Sequence, residues 1–152
     1  MPRPTHLGVA GWIVPAVAVL LASAGDAGPQ ERKLFSTTFD WNDAKPESTK
    51  VGEVRHFFRL ETATLRELEC HVTTLNPGET PHAPHRHPDE EVIVVREGQV
   101  ESFIEGKTRR LGPGSVIVYA SNELHGLTNV GQVPAVYHVF RWTLPDPAGE
   151  KP

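Results

Sequence analysis

The sequence predicts an all-β protein, and three observations carry this prediction. From Val51 onward, short runs rich in β-branched and aromatic residues are separated by turn residues. The 152-residue chain contains 13 glycines and 14 prolines, a composition that favours many short strands joined by turns. Outside the N-terminal apolar run, no segment has the 3.6-residue apolar period of an amphipathic helix. The spacing of these runs is typical of a β-sandwich or β-barrel.

Eight segments are predicted as strands because alternating or β-branched runs lie between turns such as those at 76–78 and 112–114. They are Leu34–Phe39, Glu53–Leu60, Thr64–Leu75, Glu91–Arg96, Gln99–Glu105, Ser115–Tyr119, Leu124–Asn129 and Pro134–Thr143. The apolar residues expected in the core are Ile93, Val95, Val116, Val118 and Phe140. His56 and His71 are expected at the surface.

The chain ends flank one predicted barrel domain over residues 51–144. At the N-terminus, Leu7 to Ala22 is an uncharged, mostly apolar run preceded by Arg3, and Ala22 to Ala24 has the small-x-small pattern of a cleavage site. Residues 1–24 are therefore predicted to be a signal peptide, because the run is shorter than the ~20 residues of a membrane-spanning helix. An uncleaved anchor is the alternative. Residues 25–50 are predicted as an extended N-terminal arm and residues 145–152 as a disordered tail. We expect an exported protein, periplasmic or extracellular, with no membrane association after cleavage.

Charge and cysteine content exclude two further classes. The formal net charge is −4 and no basic stripe is present, so nucleic acid is not an expected partner. Cys70 is the single cysteine, which rules out an internal disulfide. It lies in an alternating apolar segment and is expected to be a small buried residue.

Candidate metal ligands cluster between Gly78 and Glu91, where three histidines and several acids are close in sequence. His85 and His87 are two residues apart, and positions i and i+2 of a strand face the same side. Two imidazoles on one side can reach a single ion. Pro88 interrupts regular strand pairing, so the chain can turn there and bring the carboxylate of Glu91 to the same ion. Such a donor set suits Zn, Fe, Mn, Ni or Cu and leaves coordination positions open.

This stretch resembles the first motif of the cupin family. In that motif HxH is followed by Glu and then, six residues later, by Gly; here His85 and His87 are followed after three residues by Glu91 and after six more by Gly98. The leading glycine of the motif is displaced, because Gly78 is one residue too far from His85.

The second cupin motif is matched by Gly114, then five residues, a short turn, two residues, His125, three residues and Asn129. The family's Pro-x-Gly turn is replaced by residues 120–122 (Ala-Ser-Asn). Asn122 tolerates the left-handed conformation that glycine usually supplies, so we expect the turn to be kept. The resemblance covers residues 53–142 and implies a cupin double-stranded β-helix, or jelly-roll, barrel.

By this resemblance, the ligands of one divalent transition metal are His85, His87, Glu91 and His125, with the metal's identity left open. His82 is a candidate acid or base at the rim of the pocket, a residue that supports the ligands without binding the metal, or a solvated side chain. Cupins include dioxygenases, isomerases, lyases and proteins that only bind small ligands. We expect a metal-dependent oxidoreductase, dioxygenase-like, acting on a small organic molecule.

Two alternatives are a metal-dependent isomerase or lyase, with Tyr119, Tyr137 or His82 as proton carrier, and a non-catalytic protein that binds a sugar or another small ligand. A homodimer is a further expectation from the family, with the arm or a sheet edge at its interface.

Overall fold

The computed structural model describes residues 33–146, and every regular element in this range is a β-strand. The strands are β1 (Glu47–Ser48), β2 (Gly52–Leu60), β3 (Glu67–Leu75), β4 (Glu90–Glu97), β5 (Val100–Ile104), β6 (Lys107–Leu111), β7 (Val116–Tyr119), β8 (His125–Asn129) and β9 (Ala135–Thr143). The signal peptide predicted at 1–24, residues 25–32 of the arm and residues 147–152 of the tail lie outside the described residues. No helix between residues 33 and 146 is long and apolar enough to cross a membrane.

The strands form two antiparallel sheets. The larger sheet has the order β1-β2-β3-β9-β4-β7, and the smaller one has the order β6-β5-β8. The strand β9 lies between β3 and β4, so the last strand of the chain joins the two earlier parts of the large sheet. Two antiparallel sheets, with no helix among residues 33–146, confirm the all-β, jelly-roll prediction.

The core lies between the two sheets. It is built from inward-facing residues of both sheets: Leu75, Ile93, Val95, Val100, Ile117, Tyr119, Leu127, Ala135, Tyr137 and Val139. These side chains alternate with outward-facing neighbours, as the two-residue period of a strand requires. Burial of this continuous apolar cluster is the main favourable contribution to folding.

The core prediction is confirmed for Ile93 and Val95, but it is wrong for Val116 and Val118. Both valines of β7 are 59% exposed, whereas Ile117 is 5% exposed and lies in the core. In β7 the run from Val116 to Tyr119 is entirely apolar or aromatic, so composition does not set the phase of the strand, and a one-residue slip reverses every side chain. Phe140 is half-buried, on the face of β9 opposite the core.

The described part of the arm packs on the large sheet, but it differs from the prediction. Leu34–Phe39 is not a strand; only Lys33 forms a bridge, to Glu61. Glu47–Ser48 pairs with β2 instead.

The arm is held on the sheet by aromatic contacts. The ring of Trp41 lies beneath the guanidinium groups of Arg55 and Arg96, at 4.7 and 4.8 Å from the ring centroid. Phe39 packs on Phe58 of β2 with 4.9 Å between ring centroids. These contacts place the arm over the outer face of the large sheet, opposite the core.

Candidate metal centre

A cavity of about 130 Å³ opens between the two sheets, at one end of the core. Six parts of the chain place polar side chains on its wall: β3, the segment before β4, the start of β4, the end of β7, the start of β8 and β9. The cavity is lined by histidines and by aromatic, acidic and basic side chains, which distinguishes it from the apolar core beside it. The members used below are His71, His82, His85, His87, Glu91, Tyr119, His125, Tyr137 and Arg141.

Backbone pairing brings two of the candidate ligands together. The amide of His85 donates to the carbonyl of His125, and the amide of His125 donates to the carbonyl of His85, each over 3.0 Å. This isolated antiparallel bridge fixes the two residues opposite each other. The turn before β8 is tied to the same segment, since the amide of Asn122 donates to the carbonyl of His87 over 2.8 Å. Asn122 has φ of +61°, so the left-handed turn predicted there is confirmed.

The three imidazoles of His85, His87 and His125 converge on one point. One nitrogen from each ring lies within 4.8 Å of the corresponding nitrogens of the other two. The ring centroids are 5.3 Å apart for His85 and His87, and 4.8 and 4.7 Å from His125 to His85 and His87. His125 is only 2% exposed, so its ring points into the protein and not to solvent.

Hydrogen bonds from the outer nitrogens orient two of these rings. The Nδ1–H of His125 donates to the carbonyl of Glu123 over 2.8 Å, and the Nδ1–H of His87 donates to the carbonyl of Asp89 over 2.9 Å. Each bond fixes the tautomer that leaves Nε2 with a free lone pair, an arrangement usual for metal-bound histidines. In addition, His125 Nε2 and His85 Nδ1 are buried without a hydrogen-bond partner. Buried polar atoms seldom lack partners, so these orphan nitrogens fit a site for a metal ion.

The charge state of these rings also fits metal binding. Burial lowers the pKa of His125, and the nearby histidines lower it further. The pKa of His85 is lowered by burial and then by the charge of His87. Both rings therefore favour the neutral form, which is the form that binds a metal.

Glu91 lies on the same cavity but is placed less closely than the three histidines. Its Oε2 is 3.8 Å from Nε2 of His87. Glu91 faces inward because it is paired in register with Tyr119 on one side and Arg141 on the other. Burial raises the pKa of Glu91, a cost that a bound cation would offset. Glu91, the predicted fourth ligand, therefore lies at the site. That it coordinates the metal stays a prediction.

His82 also lines the cavity, and its ring meets that of His85 edge-on at 4.2 Å. Burial lowers the pKa of His82, and the charge of His85 adds to the effect. Tyr119 stacks on His125 with 4.2 Å between ring centroids. Its hydroxyl donates to the carbonyl of Gly126 over 2.9 Å and lies 3.1 Å from the hydroxyl of Ser102. Tyr119 is therefore held in place by its hydroxyl and packs against the ring of His125.

Three residues on the cavity side were missed by the sequence analysis. His71, expected at the surface, and Arg141 both line the cavity, and Glu69 is 5% exposed beside them. They face inward because alternation along β3 from the core residue Leu75 places Thr73, His71 and Glu69 on one side. Counting alternate residues back from Leu75 would have predicted this orientation. The apolar residues Cys70 and Val72 indicated the opposite orientation, because they are buried on the outer face of the sheet.

The fold and the site together define a class of protein: the described domain has the cupin jelly-roll fold. Residues 71–141 match the family described as Cupin domain. These residues run from His71 in β3 to Arg141 in β9 and include His85, His87, Glu91 and His125. The family match covers just under half of the chain, and the structural neighbours share its fold.

Comparison with known proteins gives relatives of several kinds. The chain is 35% identical over 71 residues to the L-ectoine synthases of Bordetella parapertussis and Bordetella bronchiseptica, which covers 46% of this chain. It spans about half (54%) of the length of these curated relatives.

Among solved structures, KdgF from a Halomonas species has a TM-score of 0.58 and 20% identity, over 74% of this chain and 97% of that one. The polyketide cyclase RemF from Streptomyces resistomycificus has a TM-score of 0.57 and 20% identity, over 74% and 83%. A predicted oxalate decarboxylase from Thermotoga maritima has a TM-score of 0.56 and 20% identity, over 71% and 100%. At these identities the likeness concerns the fold alone.

Proposed function

We propose that this protein is a metal-dependent enzyme that acts on a small polar organic molecule. The observation that carries the proposal is the convergence of His85, His87 and His125 on a cavity that also carries His82. The three imidazoles, with Glu91 beside them, would hold one divalent transition metal. When bound, this metal would act as a Lewis acid and polarise a carbonyl or hydroxyl group of the substrate.

The cavity limits the size and character of the substrate. Its volume of about 130 Å³ is below the ~300–1,000 Å³ of pockets for drug-sized ligands. Arg141 Nε is a buried donor without a hydrogen bond; the nearest acid, Asp89, is 3.5 Å away at Oδ2. A buried guanidinium nitrogen without an acceptor favours a substrate that carries a carboxylate or another anionic oxygen.

The leading reaction class is isomerase or lyase chemistry, because the chain supplies a proton carrier at the cavity. His82 is exposed at the rim of the cavity, and its lowered pKa favours the neutral imidazole, which can accept a proton from a substrate held next to His85. The phenol of Tyr137 stays protonated, because burial raises its pKa, and it can donate a hydrogen bond. Together these groups provide a base and a donor without an external oxidant.

A metal-dependent dioxygenase is the second candidate. It is favoured by the donor set, since imidazoles with one carboxylate suit redox-active iron or copper and leave positions open for other ligands. A protein that only binds a sugar or another small ligand is the third, and it is favoured by the Nε–H of Arg141, which makes no hydrogen bond.

A product assay under argon and under air separates the three candidates. The untagged full chain is loaded with iron, manganese, zinc, nickel or copper and given a panel of small hydroxy acids, oxo acids, phenols, diketones and thiols. Products formed equally under argon and air support the isomerase or lyase. Products that form only with oxygen uptake at an oxygen electrode support the dioxygenase. Ligand-dependent thermal shifts without any product would support the binding protein and overturn the enzyme proposal.

We also propose that the protein is exported and forms a homodimer. Export is supported by the sequence of residues 1–24. Comparing the mass of the chain recovered outside the cytoplasm with that of the full-length chain tests both export and cleavage. A homodimer is supported by the exposed valines of β7, an edge strand of the large sheet.

A further inference from the structure

A second cluster of metal-binding side chains lies on β2 and β3; it shares no residue with the three histidines described above, although its His71 lines the same cavity. His56 and His71 are directly opposite each other in the register of the two strands. Glu69 lies two residues before His71 and so faces the same side of β3. The pairing register shifts between His56 and Phe58, which marks a β-bulge next to His56. Bulges bend a strand and redirect its side chains.

We propose that His56, Glu69 and His71 form a second site for a divalent transition metal. One ligand atom from each residue lies within 4.8 Å of those of the other two. Around a tetrahedral ion with bonds of 2.0–2.1 Å, ligand atoms are about 3.3 Å apart, so closure needs only small side-chain rotations. His56 is exposed, which gives its ring freedom to rotate and leaves the site accessible to an ion from solvent.

The carboxylate of Glu69 is the second observation that points to a ligand. Glu69 is 5% exposed, and its Oε1 accepts a hydrogen bond of 2.6 Å from Nδ1 of His71. The other oxygen, Oε2, is buried without a hydrogen-bond partner, and Arg141 Nε is 3.9 Å from it. Burying a carboxylate with an unsatisfied oxygen is costly, and coordination to a cation would remove this cost.

The charge of Glu69 suits this role. Burial acts to raise its pKa, but the hydrogen bond from His71 and the charges of His71 and Arg141 outweigh burial, so the net pKa is lowered. Two imidazoles and one carboxylate favour Zn, Fe, Ni or Cu. The positive charge of Arg141 opposes a cation at Glu69, so this site binds more weakly than the three-histidine site and fills second in a titration.

Zinc stoichiometry tests the proposal without a substrate. The untagged full chain is freed of metal with a chelator, dialysed to equilibrium against increasing Zn²⁺, and analysed by elemental mass spectrometry. Wild type is expected to bind two ions per chain in two steps. His56→Ala and Glu69→Gln are expected to lose the second step and keep the first. His138→Ala is the matched control, because this half-buried histidine belongs to neither cluster, and it should keep both ions.

The design separates this inference from the proposed function. His125→Ala is expected to lose the first ion and keep the second. Two ions retained in His56→Ala would overturn the second site. A single ion in wild type that His125→Ala removes would overturn it as well. A single ion that His56→Ala removes and His125→Ala keeps would support the second site and contradict the three-histidine centre. Because His56 is exposed, its substitution leaves the core intact, and circular dichroism of each variant verifies the fold.

Discussion

His85 and His125 exchange two backbone hydrogen bonds of 3.0 Å, so the loop before β4 and the start of β8 are joined at the centre of the candidate site. The distance between the two imidazoles is therefore set by this backbone pairing, and not by a contact between the two side chains. Since a preorganised site loses little conformational entropy when an ion binds, the bridge favours tight binding. The same bridge means that changes to either side chain can remove a ligand while the backbone pairing remains.

Metal binding is expected to stabilise the wild type but not His125→Ala. An ion that binds only the folded state at 100 times its Kd adds ~2.7 kcal/mol to the free energy of unfolding. In wild type, thermal melts with Zn²⁺ and with a chelator should therefore differ by several degrees. In His125→Ala this difference should become much smaller, because only the weaker second site remains. His82→Ala is the control and should keep the full shift. An undiminished metal-dependent shift in His125→Ala would contradict the assignment.

Gly98→Ala is expected to destabilise the protein more than Gly106→Ala. Both glycines have positive φ, +78° and +83°, so both substitutions incur the left-handed backbone cost of ~1–2 kcal/mol. At Gly98 the new Cβ would also lie 2.7 Å from Cα of Ala135 and 2.8 Å from the carbonyl oxygen of Pro134. At Gly106 nothing lies within 4 Å. Overpacking adds ~1–3 kcal/mol, which urea unfolding of the two variants should resolve. Equal losses would show that the close contact with Ala135 costs nothing.

The sequence predicted the strands and the ligand cluster better than it predicted which side of each strand faces the core. Most strand bounds agree within one to three residues, because turn residues and β-branched runs mark them locally. The predicted orientation was wrong for β7 and for β3, for different reasons. In β7 Val116 and Ile117 are equally apolar, and in β3 Cys70 is buried although it faces away from the core. In β7 both faces are apolar, so no polar–apolar contrast marks the core side. In β3 the contrast is reversed, because Cys70 and Val72 are buried on the outer face while His71 faces the cavity.

The roles of His71 and Arg141 were not predictable from local pattern alone. Their position on the cavity depends on the register of β3 and β4 with β9, in which Glu69 and Glu91 both pair with Arg141. Such pairings join residues about 50 to 70 positions apart in the sequence, so a short sequence motif cannot predict them. The HxH pattern was predictable because its two ligands are neighbours in one segment.

Cys70 is expected to react slowly with thiol reagents in the folded protein. It is 5% exposed, and burial raises the pKa of its thiol to about 11, with a smaller effect from the charge of Glu69. At pH 8 the thiol is therefore protonated and shielded. Labelling with a chromogenic disulfide should be slow in buffer and fast in urea, with the unfolded chain as its own control. Rapid labelling of the native protein would show that the outer face of the sheet is open at Cys70.

The same group predicts a loss of stability at alkaline pH. The folded pKa of about 11 lies above the ordinary value of 9.0, so the unfolded chain releases its proton first as the pH rises. Stability from the protonated thiol is complete below pH 9 and is lost between pH 9 and 11. Cys70→Ala should reduce the slope of unfolding free energy against pH in this window. An unchanged slope would assign the alkaline loss to other groups such as Tyr119, whose pKa is raised to about 12 by burial.

Val118→Lys is expected to weaken the proposed homodimer. Val118 and Val116 lie on the outer face of the edge strand β7 and are 59% exposed, next to their partners Val92 and Val94 in β4. An apolar row at an unpaired sheet edge favours association, and a lysine on it opposes association through charge and desolvation. Light scattering with size-exclusion chromatography should show a dimer for wild type and a shift towards monomer for the variant. The matched control is Val133→Lys, since Val133 is 58% exposed in the loop before β9, and this variant should stay dimeric. A wild type that remains monomeric at high concentration would rule out the dimer, whereas a dimer unaffected by Val118→Lys would place its interface elsewhere.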